Sequence, residues 1–264
     1  MSLIAYTAGV YRTVPRAVSW FARAFPELVF YSRYIATVMK ARSRIKRGQY
    51  GGDDWAASSG EVLRSLESVG IRVEITGIRH VEQLATPCVV IANHMSVLET
   101  NVLPAIIQPV RPVTFVVKQS LLDYPFFKHV MRASDPIAVN RVNPRHDLKA
   151  VLEGGTDRLG RGISIIVFPQ TTRTVSFDPV AFTTIGVKLA RRAGVPVIPL
   201  ALLTDAWGNG KYIKEFGRID ASRKAHFAFG EPLWVEGRGA DEHQAIIGFI
   251  NGKLAQWQAD RGAD

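Results

Sequence analysis

The sequence predicts an α/β fold, a mostly parallel or mixed sheet flanked by helices, with an N-terminal helical extension. Three observations predict it. Short apolar runs rich in β-branched residues recur at 88–92, 113–118, 164–168 and 197–203, the pattern of strands buried on both faces. Stretches with helical periodicity separate them, and strand–helix alternation builds a parallel sheet with helices on its faces. The first fifty residues lack such runs and instead interleave aromatic and basic side chains.

Taken in order, residues 1–50 form a helical, membrane-associating segment. Trp20, Phe21, Phe25, Phe30, Tyr31 and Tyr34 alternate with Arg12, Arg16, Arg23 and Arg33, and the segment ends in Lys40, Arg42, Arg44, Lys46 and Arg47. Rings at the headgroup level and cations towards anionic lipid are what an interfacial helix uses; a helical hairpin packed on the core with a solvated basic edge would look the same. No apolar run approaches the roughly 18–20 residues that span a bilayer, and the spread charges do not fit a signal peptide. The expectation is a peripheral or monotopic protein on the cytoplasmic face of a membrane. Residues 51–69 read as a Gly-, Asp- and Ser-rich linker followed by a short helix at 61–69.

Residues 70–264 carry the α/β domain. Strands are expected at 71–77, 88–92, 113–118, 136–140, 164–168, 197–203 and 226–229. Helices are expected at 97–107, 121–131, 145–159, 185–193 and 244–258, the fourth ending at Gly194, a natural C′ residue. The single cysteine, Cys88, reads as a small buried hydrophobe, and no Cys/His cluster has zinc spacing. The net charge of +10 favours an anionic partner. Zinc-finger, RNP and helix-turn-helix patterns are missing, so nucleic acid is not the expected one.

In such sheets ligands bind beyond the carboxyl ends of the strands. His94, Lys118, Arg141 and Arg173 all follow predicted strands. His94 sits in Asn93-His94-Met95-Ser96-Val97-Leu98-Glu99. Histidine suits general-base work near neutral pH, and a carboxylate can fix its tautomer and stabilise its cation. Residues five apart on one helix point about 140° apart, so His94 and Glu99 meet only if His94 lies in the turn before the helix. Ser96-Val97-Leu98-Glu99 is also a capping box, which explains Glu99 without catalysis. In Phe168-Pro169-Gln170-Thr171-Thr172-Arg173-Thr174, the two hydroxyls of Thr171 and Thr172, the Arg173 fork and turn amides can together hold a phosphate. Lys118 and Arg141 either add positive potential at the same mouth or are solvated strand-end charges.

These stretches resemble the four blocks of the glycerolipid acyltransferase family, of the lysophosphatidic acid acyltransferase type. His94 to Glu99 matches the first block, a His, four residues and an acid, usually Asp. Lys118-Gln119-Ser120-Leu121, Pro125-Phe126 and Ile137-Ala138-Val139-Asn140-Arg141 look like the second, and Phe168 to Thr174 resembles the third, usually Phe-Pro-Glu-Gly-Thr-Arg-Ser. Val195-Pro196-Val197-Ile198-Pro199-Leu200 is similar to the fourth. The resemblance implies acyl transfer from acyl-CoA or acyl carrier protein, as co-substrate and with no resident cofactor or metal, to a lysophospholipid hydroxyl. His94 would act as general base oriented by Glu99. Gln170, Thr171, Thr172 and Arg173, with Lys118 and Arg141, would bind the acceptor, Arg173 and Thr172 at its glycerol-phosphate part. The sequence names no oxyanion donors, though amides at the start of the Ser96 helix are well placed in principle. Glu99 in place of Asp lengthens the arm by one methylene. Gln170-Thr171 in place of Glu-Gly opens the acceptor's identity. A lipid-binding protein without catalysis, and a hydrolase, are the alternatives; no Gly-x-Ser-x-Gly elbow supports the latter.

Overall fold

In the computed structural model, residues 4–124, 128–170, 172–211 and 213–263 are described. Thr171 and the Pro125-Phe126 pair of the second block fall outside them. The chain runs β1 (Val10–Arg12), α1 (Trp20–Ala24), α2 (Pro26–Lys46), α3 (Gly52–Ser68), β2 (Arg72–Thr76), α4 (Arg79–Glu82), β3 (Val89–Ala92) and α5 (Val97–Ile107). It continues with β4 (Val113–Lys118), α6 (Gln119–Asp123), α7 (Lys128–Ala133), β5 (Ile137–Val139), α8 (Pro144–Gly160) and β6 (Ser164–Val167). The last elements are α9 (Ile185–Ala193), β7 (Val197–Leu203), β8 (Lys224–Phe229) and α10 (Ala240–Ala263).

Among the described residues one eight-stranded sheet runs β1-β2-β8-β7-β3-β6-β4-β5. It is mixed: β1–β2 and β7–β8 are antiparallel, and the other pairs are parallel. Alternation along the strands feeds two cores. Val90, Ile166, Ile198, Leu200 and Phe227 pack with Leu63, Leu66, Leu98 and Leu103 of α3 and α5. Val89, Ile91, Ile165, Val167 and Val197 face Val151, Leu189, Ile246 and Ile250 of α8, α9 and α10. Both faces are covered, so the central strands read as unbroken apolar runs. Gly194 caps α9 with φ 65°, the left-handed conformation expected of it.

Three expectations are corrected. The stretch read as a linker is the first half of α3. Asp54 Oδ2 accepts from Gly51 N at 3.0 Å and starts the helix, and Trp55, Ala56 and Ser59 are buried. Trp55 meets Phe115 edge-on, ring centroids 5.9 Å apart. Small residues there let helices approach closely; they do not loosen the chain. The N-terminal segment is not all helix. Val10–Arg12 pairs with β2 as the sheet's edge, and Phe30 and Tyr34 of α2 have no exposed surface. The region read as an appendage therefore completes the domain. The expected helix at 121–131 is replaced by α6 and α7.

Candidate active site

β3 lies between β6 and β7, parallel to both, so the exits of these three strands share one end of the sheet. Asn93 fixes the exit of β3. Its side-chain amide donates to Leu202 O and accepts from Leu202 N, both at 2.8 Å, and so extends the β3–β7 pairing by side chain. His94 follows in the turn, and Ser96 caps α5 with extended backbone, its Oγ accepting from Leu98 N at 3.0 Å.

Glu99 then serves both readings at once. Its Oε1 accepts from His94 Nδ1 at 2.9 Å, Met95 N at 2.7 Å and Ser96 N at 3.0 Å. Its Oε2 accepts from Thr204 Oγ1 at 2.5 Å, with Ser96 Oγ at 3.0 Å. The capping box brings the carboxylate back over the turn, where it meets the imidazole; helix cap and dyad are one arrangement. Burial alone raises the pKa of this fully enclosed carboxyl. The hydrogen bond and charge of His94, then Thr204 and the Ser96 amide, outweigh it and hold Glu99 below its ordinary range. With Nδ1–H donated to Glu99, Nε2 is the nitrogen of the neutral ring left to take a proton. Phe168 stacks on the imidazole, centroids 4.2 Å apart, and backs onto Phe115 at 6.2 Å.

His94 lines a cleft of about 80 Å³ together with Lys118, Arg141, Phe168, Arg173 and Glu215, over a floor that includes Val97 and Leu121. Three of the expected cations therefore converge on the histidine. Arg141 is held in the left-handed region, φ 58°, by Asp147 of α8, whose carboxylate accepts from Asn140 N and Arg141 N at 2.9 and 2.8 Å. A non-glycine residue there costs on the order of 1 kcal/mol, offset by the two charge-assisted bonds. Thr172 is exposed and is not among the lining residues. Gln170 is buried and turned to the scaffold: its Oε1 accepts from His94 N at 2.7 Å and its Nε2 donates to Thr174 Oγ1 at 2.8 Å. It ties the Arg173 loop to the His94 turn.

Four amides of this turn are already engaged, which narrows the oxyanion donors that the sequence left unnamed. The amides of Met95 and Ser96 are taken by Glu99, that of Leu98 by Ser96 Oγ, and that of His94 by Gln170. A donor satisfied inside the turn cannot also bind a developing oxyanion.

Thr204 opens the stretch Thr204 to Lys211, which its sequence makes either a pocket lining after a strand or, by preference, an Asn-Gly turn; it is fully buried against Glu99. It stands 105 residues from its partner, and only the β3–β7 adjacency brings it there. Thr204→Val keeps the shape and removes the donor. A hydrogen bond to a charged group contributes about 1.5–3 kcal/mol, so kcat is expected to fall about tenfold or more with KM unchanged, and Thr204→Ser to restore it. Equal losses in kcat and KM would remove Thr204 from the orienting network.

Comparison with known proteins agrees with the geometry. The Acyltransferase family model matches residues 72–203. A 1-acyl-sn-glycerol-3-phosphate acyltransferase of Pseudomonas aeruginosa is 27% identical over 233 residues, covering 88% of this chain and 83% of the relative. A probable 1-acyl-sn-glycerol-3-phosphate acyltransferase of Mycoplasma pneumoniae is 32% identical over 137 residues, 51% of this chain and 50% of the relative. The crystal structure of the 1-acyl-sn-glycerophosphate (LPA) acyltransferase PlsC from Thermotoga maritima superposes with a TM-score of 0.62 at 18% identity, covering 90% of this chain and 97% of that one. The match spans β2 to β7 and takes in His94, Glu99 and Arg173, and with it the chain belongs to the acyltransferase family, as an enzyme of the glycerolipid, lysophosphatidic acid acyltransferase-like type.

Proposed function

We propose that the protein moves a fatty acyl group from acyl-CoA or acyl carrier protein to the free hydroxyl of a lysophospholipid in phospholipid biosynthesis. The acceptor best supported is 1-acyl-sn-glycerol-3-phosphate, the substrate in the names of its relatives. The observation that carries the reading is the His94–Glu99 pair opening on a cleft with three cations. His94 Nε2 takes the hydroxyl proton as that oxygen forms its bond to the thioester carbonyl carbon. Glu99 stabilises the resulting imidazolium. The tetrahedral intermediate then expels the thiolate, which takes the proton back from His94, leaving an ester and a free thiol. Donor and acceptor react directly, with no acyl-enzyme. Arg173 and Arg141, with Lys118, hold the acceptor's phosphate. The test is acyl transfer by the purified protein with both donors and a panel of lysolipids. A single preferred acceptor names the substrate; transfer to none of them overturns the reading.

The proposal extends to where the reaction occurs, at an anionic membrane surface. Among the described residues no helix is long and apolar enough to cross a membrane. Yet Trp20 is 77% exposed, Phe25 50%, Leu28 61% and Met39 49%. Nearby, burial first and then the positive field of Arg42, Lys128, Lys46 and Arg132 lower the His129 pKa, which marks a concentrated basic patch. Because α2 also fills the core, substitutions test this better than deletion of the segment. Trp20→Ser, Phe25→Ser, Leu28→Ser and Met39→Ser combined are expected to weaken binding to anionic liposomes at least about tenfold with Tm unchanged. Unchanged co-sedimentation would refute surface attachment by these helices.

A further inference from the structure

The cleft holds one charge of the wrong sign for a simple phosphate site. Glu215 lines it beside Lys118, Arg141 and Arg173. Its carboxylate Oε1 lies 3.5 Å from Arg173 Nη2, and the two side chains are only 12% and 13% exposed. Glu215 is not there by accident of a loose loop. Its carbonyl accepts from the buried Trp207 indole at 3.2 Å, and Tyr31 of α2 bonds to Gly217 O. The separation from Arg173 is longer than the roughly 2.7–2.9 Å of a tight charge-assisted bond, and Arg173 Nη1 is buried with no hydrogen-bond partner. The guanidinium therefore keeps a donor for one incoming oxyanion, while the carboxylate beside it keeps acceptor capacity.

Such a pair suits a headgroup with one negative oxygen and a neighbouring hydrogen-bond donor. A phosphate monoester carries a charge of about −1.5 to −2 near neutral pH and brings its second charge against Glu215, in a partly enclosed site where like charges repel strongly. A phosphodiester carries one negative charge, and a hydroxyl or ammonium on its far side can donate to Glu215. We propose that Glu215 is a specificity-determining residue of the acceptor cleft: it lowers the preference for phosphate-monoester headgroups relative to phosphodiester headgroups that carry a hydroxyl or ammonium. This rests on the lysophospholipid reading above: 1-acyl-sn-glycerol-3-phosphate stays the acceptor that the relatives' names support, and Glu215 sets how far phosphodiester lysolipids compete with it.

The experiment is binding of lysophosphatidic acid and lysophosphatidylglycerol with the same acyl chain, in neutral detergent micelles without acyl donor. It compares the unaltered protein with Glu215→Gln and Glu215→Asp. The ratio of the two Kd values does not depend on how much of a variant is folded. Glu215→Gln is expected to shift that ratio at least about tenfold towards the monoester, and Glu215→Asp to leave it within about threefold. An unchanged ratio in Glu215→Gln overturns the proposal. So does an equal weakening of both lipids, which would mark a residue that merely holds Arg173 in place. Acyl transfer to the same two lipids is measured beside it. A shifted binding ratio without transfer would overturn the catalytic reading and leave the headgroup inference standing.

Discussion

His94→Ala is expected to reduce kcat for acyl transfer at least about a hundredfold, the lower end of what a positioned general base contributes. The loss belongs to the chemical step. The cations of the cleft remain, so KM for the acceptor is expected to change little. The fold is expected to survive. Glu99 Oε1 still accepts from the Met95 and Ser96 amides, and Oε2 from Thr204, so no buried donor or acceptor is stranded. The removed ring gives up its stack on Phe168 and one hydrogen bond to a charged group, about 2–4 kcal/mol in all. Steady-state kinetics beside thermal unfolding separate these effects. A variant that stays folded, with Tm lowered by only a few degrees, and loses kcat supports the assignment, and one that keeps kcat refutes it.

Glu99→Gln has the second largest expected effect, also about a hundredfold or more in kcat. A neutral amide can accept from the turn but cannot stabilise the imidazolium, and its NH₂ group competes with the Nδ1–H that fixes the tautomer. Glu99→Ala is expected to be worse for stability. It strands the Met95 and Ser96 amides in a fully buried site, at a cost of about 3–5 kcal/mol. The pH dependence has a definite sign. The Glu99 pKa in the folded protein is depressed below its ordinary 4.5, since the bonds from His94, Thr204 and Ser96 outweigh burial. The unfolded chain therefore binds the proton more readily. The stabilisation is complete above about 4.5 and is lost as pH falls towards the folded value. The gap in Tm between the unaltered protein and Glu99→Gln should narrow as pH drops below 4.5. A gap that stays constant there would mean that the carboxylate contributes no proton-linked stability.

What was legible in the sequence follows distance along the chain. The central strands β3, β4, β6 and β7 were readable because burial on both faces leaves continuous apolar runs, and β2 because a half-buried strand alternates apolar and polar residues. His94 and Glu99 were readable because strand exit, turn and cap all lie within seven residues. Spacing left catalysis and capping as rival explanations of Glu99, and the structure shows one geometry that satisfies both. Thr204, Asn93 and Glu215 act through neighbours on other strands and loops, and local pattern does not encode the strand order that makes β7 adjacent to β3. Composition misled at residues 52–60, where Gly, Ser and Ala serve close helix packing, and at 10–12, where three residues become a strand only because β2 offers an open edge. Gln170 was read as a ligand of the acceptor from its place beside Arg173. Its amide is consumed by His94 N and Thr174, a partnership no motif displays.

The central claim is direct transfer with His94 as the base. Its most direct test is a single turnover of a radiolabelled acyl thioester with the preferred lysolipid on anionic vesicles, quenched over time for the unaltered enzyme and for His94→Ala. The account predicts label passing from thioester to lipid with no labelled protein at any time, and a rate at least about a hundredfold lower in the variant. Label trapped on the protein, or a His94→Ala rate equal to that of the unaltered enzyme, would contradict it.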